Sequence, residues 1–301
     1  MTNERYGLSI EPRIDIRVSS HYGEAAIRRS LTAGFKSIVR FFKRERLSLA
    51  PDAIRIIAVN DTSNPVTREV AMGCSWDDKR RQIKLHSNVL GRNDHLWRTA
   101  LYHGVGHATH SQLLRQLGFG KAESHIPPVA RESVASWIGI AQQYEGDQNL
   151  VRRYLGELLL PERRLFEAPA SPDQVEAAFY HDVAIINYVY SVRGIEHLLN
   201  LALAAPRALG RWQALPLVVK AGLDNLRELL RQRQEYRQRV DDIGWREWEK
   251  ELQRNIAKNL WHLVYPMLIS PKKSHQEFEG RAENILGTSL TDLTDQASEW
   301  Y

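Results

Sequence analysis

Apolar and polar positions in the first ninety residues predict a small sheet with one long helix. Alternating or β-branched runs predict strands at residues 13–18, 53–59, 69–76 and 82–86. Residues 21–45 repeat apolar side chains every three or four positions, which predicts an amphipathic helix. The polar stretch 77–80 predicts a hairpin connection between the last two strands.

From residue 94 onwards the apolar pattern changes to the period of helices. The predicted helices cover residues 94–117, 128–143, 171–190, 216–240, 245–267 and 278–301. The fold class is therefore predicted as α+β, a small N-terminal mixed sheet with helices followed by a larger helical portion. We predict three portions of one unit. These are a sheet portion at 1–92, a helical portion with the candidate site at 93–204, and an extra helical segment with the C-terminal helix at 205–301.

Composition removes several classes of protein. A single cysteine, Cys74, excludes an internal disulfide and a thiolate zinc module, so a metal site must use His, Asp and Glu. The sequence has no run of about 18 apolar residues, so we expect no membrane span. The first residues lack the apolar stretch of a secretory signal, so we expect a cytoplasmic protein. The net charge is only +5, and acids alternate with the arginines of 227–239, so we do not expect nucleic-acid binding.

Three histidines fall within eight residues of the helix predicted at 94–117. His103 and His107 are four residues apart, so both imidazoles project from one face of a helix. This is the spacing with which one helix supplies two nitrogen ligands to zinc. His110 follows three residues later, near the same face. A surface pair or two buried core histidines also fit this spacing, but the apolar flanks and the preceding strands favour a metal site.

Glu132 is the best candidate for a third ligand. It lies early in the helix predicted at 128–143, on the side of its alanines, valines and Trp137. A carboxylate on an apolar face is costly to bury unless something pairs with it, and a metal ion would do so. The sequence therefore predicts a Zn²⁺ site of His103, His107 and Glu132, with a fourth coordination position left open.

The order of these elements resembles the gluzincin zinc metallopeptidases, the peptidase MA-like group. Strands come first, then a His-x-x-x-His helix, and then a Glu-bearing helix 25 residues later. Residues 71–75 and 82–85 resemble the family's sheet strands, 177–181 its tyrosine-bearing helix, and 286–293 its C-terminal helix. The resemblance covers about residues 15–200 and the last 25 residues, and it leaves about 205–275 as a helical insertion.

This resemblance implies a zincin-like fold and a site for peptide or protein substrates or partners. It implies zinc ligation by His103, His107 and Glu132. It also implies that Tyr180 is a hydrogen-bond donor to a developing oxyanion. Tyr180 is equally compatible with an aromatic residue on a buried helix face.

The chain departs from the family at one position. The family motif is His-Glu-x-x-His, and residue 104 of this chain is Gly. The family's Glu is the general base, and a glycine cannot transfer a proton.

Three explanations stay open for Gly104. The chain is a natural pseudo-peptidase that binds or regulates a partner. Alternatively, it is a zinc-dependent hydrolase of peptide or amide bonds with another base: His110, Glu123 or His125. In that case we expect Gly104 to leave room beside the metal. In the third explanation, Gly104 is an introduced, inactivating substitution.

Overall fold

The computed structural model describes residues 13–17, 24–45, 55–59, 74–86, 94–119, 123–144, 147–237, 261–269 and 271–301. The chain divides into two compact units. The first is Met1–His125 with Val134–Val151, and the second is Ile126–Ser133 with Arg152–Tyr301. Within the described ranges, no helix combines the length and apolar character that crossing a membrane requires.

The first unit contains a four-stranded mixed sheet. Its strands are β1 (Arg13–Arg17), β2 (Arg55–Val59), β3 (Cys74–Asp77) and β4 (Gln82–His86). They are ordered β1-β2-β4-β3. The first three in this order run parallel, whereas β3 is an antiparallel edge strand. The prediction of a small sheet near the N-terminus is confirmed. Positions 69–73 of the predicted third strand lie outside the described residues.

Three helices accompany the sheet. They are α1 (Glu24–Arg44), α2 (Asp94–Gln116) and α3 (Pro128–Gln143). Helix α2 lies against β3, β4 and α1. Its Ser111 and Arg115 both bind the carboxylate of Asp78 in the β3–β4 turn, and Arg115 does so at 2.9 Å. These contacts fix the helix with the candidate histidines to the edge of the sheet.

Helices α2 and α3 approach each other closely at two glycines. A Cβ atom at Gly106 would lie only 1.8 Å from the carbonyl oxygen of Ala135, and one at Gly139 would lie 2.6 Å from that of Tyr102. Real side chains cannot occupy such space, so each position requires a residue without a Cβ. The close approach brings the histidine face of α2 against the Ser136 face of α3.

The remaining helices belong mainly to the second unit. They are α4 (Gln148–Gly156), α5 (Val175–Arg193), α6 (Ile195–Ala204), α7 (Arg211–Arg237), α8 (Lys272–Leu286) and α9 (Leu290–Trp300). Helix α5 is buried over most of its length and contacts α6 and α9. Of the helix predicted at 245–267, positions 245–260 lie outside the described residues. Positions 261–264 are helical and lead into the 3-10 turn Tyr265–Met267.

The prediction that residues 278–301 are helical is confirmed, and two helices cover this part of the chain. Gly287 adopts a left-handed conformation with φ 68° and ends α8. Ser289 then begins α9, and its hydroxyl accepts a hydrogen bond from the backbone N–H of Asp292 at 3.0 Å. A left-handed glycine followed by a serine cap ends one helix and starts the next.

A buried polar cluster stabilises the second unit. Asp182 of α5 is fully buried, lies 3.4 Å from an Arg163 nitrogen and accepts a hydrogen bond from the Phe166 N–H at 2.9 Å. Burial raises the pKa of Asp182 to about 6, against the lowering effect of Arg163. The adjacent His181 is also buried, and its Nδ1 accepts a hydrogen bond from the Leu160 N–H at 3.1 Å. Burial lowers the pKa of His181 to about 3, so the ring is neutral.

These neighbours predict opposite effects of pH on stability. The pKa of His181 in the folded protein lies below its ordinary value of 6.5. Its contribution to the free energy of unfolding is therefore fully present above pH 6.5 and is lost as the pH falls towards 3. The pKa of Asp182 in the folded protein lies above its ordinary value of 3.8. Its contribution to the free energy of unfolding is therefore fully present below pH 3.8 and is lost as the pH rises through 6. The two effects oppose each other between about pH 4 and 6.

Replacing either His181 or Asp182 should leave the pH dependence of stability that the other one causes. Between about pH 4.5 and 5.5, Asp182→Asn should make stability rise with pH by up to about 1.4 kcal/mol per pH unit more than in wild type. His181→Gln should shift the slope by a similar amount in the other direction. Urea unfolding at several pH values measures both slopes. Equal slopes in the two variants would contradict the assignment.

Candidate metal centre

His103, His107 and Glu132 place three ligand atoms in one small, buried volume. The two histidines lie one turn apart on α2, and Glu132 lies in the second turn of α3. One ligand atom from each residue falls within 4.8 Å of the other two. All three side chains are buried, with exposed fractions of 7%, 7% and 5%. The structure therefore brings together the three residues whose spacing predicted a metal site.

The arrangement of these atoms suits a small divalent ion. The Nε2 atoms of His103 and His107 are 3.0 Å apart, and their rings are nearly perpendicular at 89°. Two nitrogens bound to one tetrahedral zinc at about 2.0–2.1 Å lie roughly 3.3 Å apart, close to this separation. Two imidazoles and one carboxylate form the ligand set of many catalytic zinc sites. Arg131 lies beside Glu132, with its Nε 3.4 Å from the carboxylate.

Each histidine is oriented through its second ring nitrogen. His107 Nδ1 donates a hydrogen bond to Glu123 Oε1 at 2.8 Å, because a carboxylate can only accept. His103 Nδ1 lies 3.0 Å from the hydroxyl oxygen of Ser136. Such contacts set the ring orientation and leave Nε2 of each histidine directed at the site.

The proton positions follow from these contacts. In neutral His107 the hydrogen resides on Nδ1, so its Nε2 is an acceptor. Without a metal ion, His103 must then donate from Nε2 to His107 and accept at Nδ1 from the Ser136 hydroxyl. Metal binding requires the other tautomer of His103, with Nδ1 donating to Ser136, and a hydroxyl group can serve in both arrangements.

Glu123 lies in a 3-10 turn, Glu123–His125, and a single oxygen of its carboxylate serves two histidines. His110 Nδ1 also donates to Oε1, at 3.0 Å. Burial acts to raise the pKa of Glu123, but His107 and His110 outweigh it, so this pKa lies below its ordinary value. The carboxylate is therefore charged, and it orients the imidazole rings of His107 and His110.

The other suggested bases occupy different environments. His110 is fully buried, and its Nε2 has no hydrogen-bond partner within the described part of the chain. His125 is exposed in the same 3-10 turn that contains Glu123. The catalytic role suggested for His110 stays a prediction.

Gly104 faces the sheet. A Cβ atom at this position would lie 2.9 Å from Ile83 Cγ2 and 3.4 Å from Cys74 Sγ. Ile83 is fully buried in β4, so it cannot move aside cheaply. The expectation that Gly104 leaves room for another group is wrong at this point, because side chains of β3 and β4 already fill the space.

Tyr180 lies on α5 in the second unit, where its ring packs against Phe179 at 5.3 Å. Burial first, then Tyr154 and Glu176, raise the pKa of Tyr180 to about 12. The phenol therefore keeps its proton near neutral pH and can donate a hydrogen bond. Its role towards an oxyanion stays a prediction.

Sequence reasoning missed Ser136. It lies one helical turn after Glu132, on the same face of α3, and this spacing was the available signal.

The chain was compared with known proteins in three ways. No protein-family description, no curated protein and no solved structure matches it.

Proposed function

We propose that this chain is a zincin-like metalloprotein that binds Zn²⁺ through His103, His107 and Glu132 and is a pseudo-peptidase. The buried cluster of three ligand atoms within 4.8 Å carries the proposal. Imidazole nitrogens and a carboxylate favour zinc among the common divalent ions. The gluzincin resemblance of the sequence supports the same ion.

The residues around the cluster support a binding role. A zinc ion held there would supply a Lewis acid able to polarise a carbonyl oxygen. Ser136 and Glu123 hold the imidazoles in position, which favours tight metal binding. No proton-transferring side chain occupies position 104, and general-base catalysis contributes roughly 10²–10⁴-fold to rates. The proposed function is therefore to hold a peptide or protein partner without rapid cleavage.

A zinc hydrolase of altered chemistry is the second candidate. One observation favours it: His110 Nε2 is buried without a hydrogen-bond partner among the described residues. In this alternative His110 supplies the base and Tyr180 the oxyanion donor, acting on peptide or amide bonds.

Metal content tests the proposal. Wild-type protein purified without added zinc should retain close to one equivalent, because three protein ligands bind zinc tightly. His103→Ala should retain less than about 0.2 equivalents under the same conditions. His197→Ala is the matched control, since His197 is exposed on α6, and it should match wild type. Inductively coupled plasma mass spectrometry measures all three.

The same preparations distinguish the two candidates. Zinc-loaded wild type should release no products from a mixture of unstructured peptides. Cleavage that is lost in His110→Ala would favour the hydrolase. A His103→Ala protein with the metal content of wild type would contradict both candidates.

A further inference from the structure

The side chain of His110 is fully buried and makes a single hydrogen bond among the described residues. Its Nδ1 lies 3.0 Å from Oε1 of Glu123, and its Nε2 has no partner in the same part of the chain. Because a carboxylate only accepts, Nδ1 carries the hydrogen, and Nε2 of the neutral ring is an unpaired acceptor. Burying such an acceptor is costly, and an apolar side chain would avoid that cost. The contact with Glu123 is therefore what distinguishes histidine from an apolar residue at this position.

The same oxygen of Glu123 also holds one of the proposed zinc ligands. Nδ1 of His107 donates to Oε1 at 2.8 Å, so two imidazoles meet at one atom. His107 and His110 are three residues apart on α2, which places their rings at neighbouring positions of one helix face. Glu123 is only 2% exposed and comes from a separate segment, the 3-10 turn Glu123–His125. Its carboxylate joins this turn to the histidine face of α2.

Two donors fix the position of a carboxylate oxygen better than one donor does. With a single donor, the carboxylate can rotate about its side-chain bonds and still keep that contact. With two donors from one helix, Oε1 stays at the point where both N–H bonds converge. His107 then keeps its hydrogen on Nδ1, and its Nε2 is free to bind a metal ion, as coordination through Nε2 requires.

We propose that His110 is a positioning residue for the metal centre, which acts through Glu123 to hold His107 in its metal-binding tautomer. This inference rests on the proposed zinc-binding function and gives His110 a part in it. It differs from the role of His110 in the second candidate, because a general base must exchange protons with a substrate or with water. The ring of His110 is fully buried, and its Nδ1 hydrogen is held by Glu123.

The zinc affinities of two variants separate positioning from packing and from proton transfer. In His110→Asn the amide nitrogen takes the place of Nδ1, so zinc affinity should stay within about threefold of wild type. His110→Leu fills a similar volume without a donor and should bind zinc about tenfold more weakly, the lower end of the usual loss when such support is removed. His197→Leu, at an exposed position of α6, is the matched control and should bind as wild type does. Competition with a chromogenic zinc chelator measures the dissociation constants, and equal affinities of His110→Asn and His110→Leu would overturn the proposal.

The tautomer can be read in the metal-free protein, so this part of the test does not depend on zinc. Long-range proton–nitrogen correlation spectra at about pH 8, where an ordinary imidazole is neutral, should show hydrogen on Nδ1 of both His107 and His110. In His110→Leu, His107 should populate both tautomers. Hydrogen on Nε2 of either ring in wild type, or an unchanged His107 in His110→Leu, would overturn the proposal. A wild type that binds no zinc while the spectra follow this expectation would contradict the proposed function alone.

Discussion

Replacing Gly106 by alanine is expected to lower the free energy of unfolding by about 3 kcal/mol and to abolish the proposed metal binding. The added Cβ would lie 1.8 Å from the carbonyl oxygen of Ala135 and 2.7 Å from its carbonyl carbon. Both atoms belong to the backbone of α3, so no side-chain rotation relieves the contact. The helices must separate, and His103 then loses its position beside Ser136.

The expected change at Gly106 is opposite in sign to the usual effect of replacing a helical glycine by alanine. Glycine to alanine within a helix normally raises stability by about 0.5–1 kcal/mol. Gly280 on α8 is exposed, and a Cβ there would meet nothing within 4 Å, so Gly280→Ala should show that ordinary gain. Gly139→Ala, with a contact of 2.6 Å to the Tyr102 oxygen, should fall between the two. Urea unfolding ranks the free energies of unfolding of the three variants, and their zinc content shows whether the metal site persists. A Gly106→Ala protein as stable as wild type would show that the two helices are not in close contact.

The second large effect is expected at Asp182. Replacing Asp182 by alanine should cost about 3–5 kcal/mol, the usual loss when a buried ion pair is broken from one side. Arg163 would keep its charge in a buried setting, with an exposed fraction of only 8%. The N–H of Phe166 would also lose its acceptor. Phe166 has a φ of 58°, which is unfavourable for an aromatic residue, so the carboxylate also holds a strained backbone.

A double variant separates these contributions. Arg163→Met in the Asp182→Ala background removes the uncompensated charge and should restore part of the stability. The remaining loss then measures the support of the Phe166 backbone. Thermal or urea unfolding of the single and double variants completes the cycle. If Arg163→Met brings no recovery, the cost does not come from the buried charge.

The three residues of the candidate metal centre could be predicted because the signals that point to them are local. His103 and His107 are one helical turn apart, and this spacing holds wherever the helix packs. Glu132 was found as a carboxylate among apolar helix positions, a signal that also lies in the local sequence. The small N-terminal sheet followed by helices was predicted in the same way, from periods of two and of about four residues.

The supporting contacts could not be predicted because they depend on long-range packing. Glu123 was considered as a base, yet the structure places its carboxylate on the outer nitrogens of His107 and His110. The close contact at Gly106 arises from the crossing of two helices, which no local pattern records. The exposure of the large apolar side chains along α7 is likewise invisible in the sequence, since an apolar row predicts a covered face equally well.

The packing of Gly104 against Ile83 limits which residues position 104 can accept. A change to glutamate at this position meets a filled space, so it would reduce stability even as it supplied a carboxylate. Trimming Ile83 first would open a cavity without any catalytic benefit. Under the proposed pseudo-peptidase function, each of these two single steps is therefore expected to lower stability without adding activity.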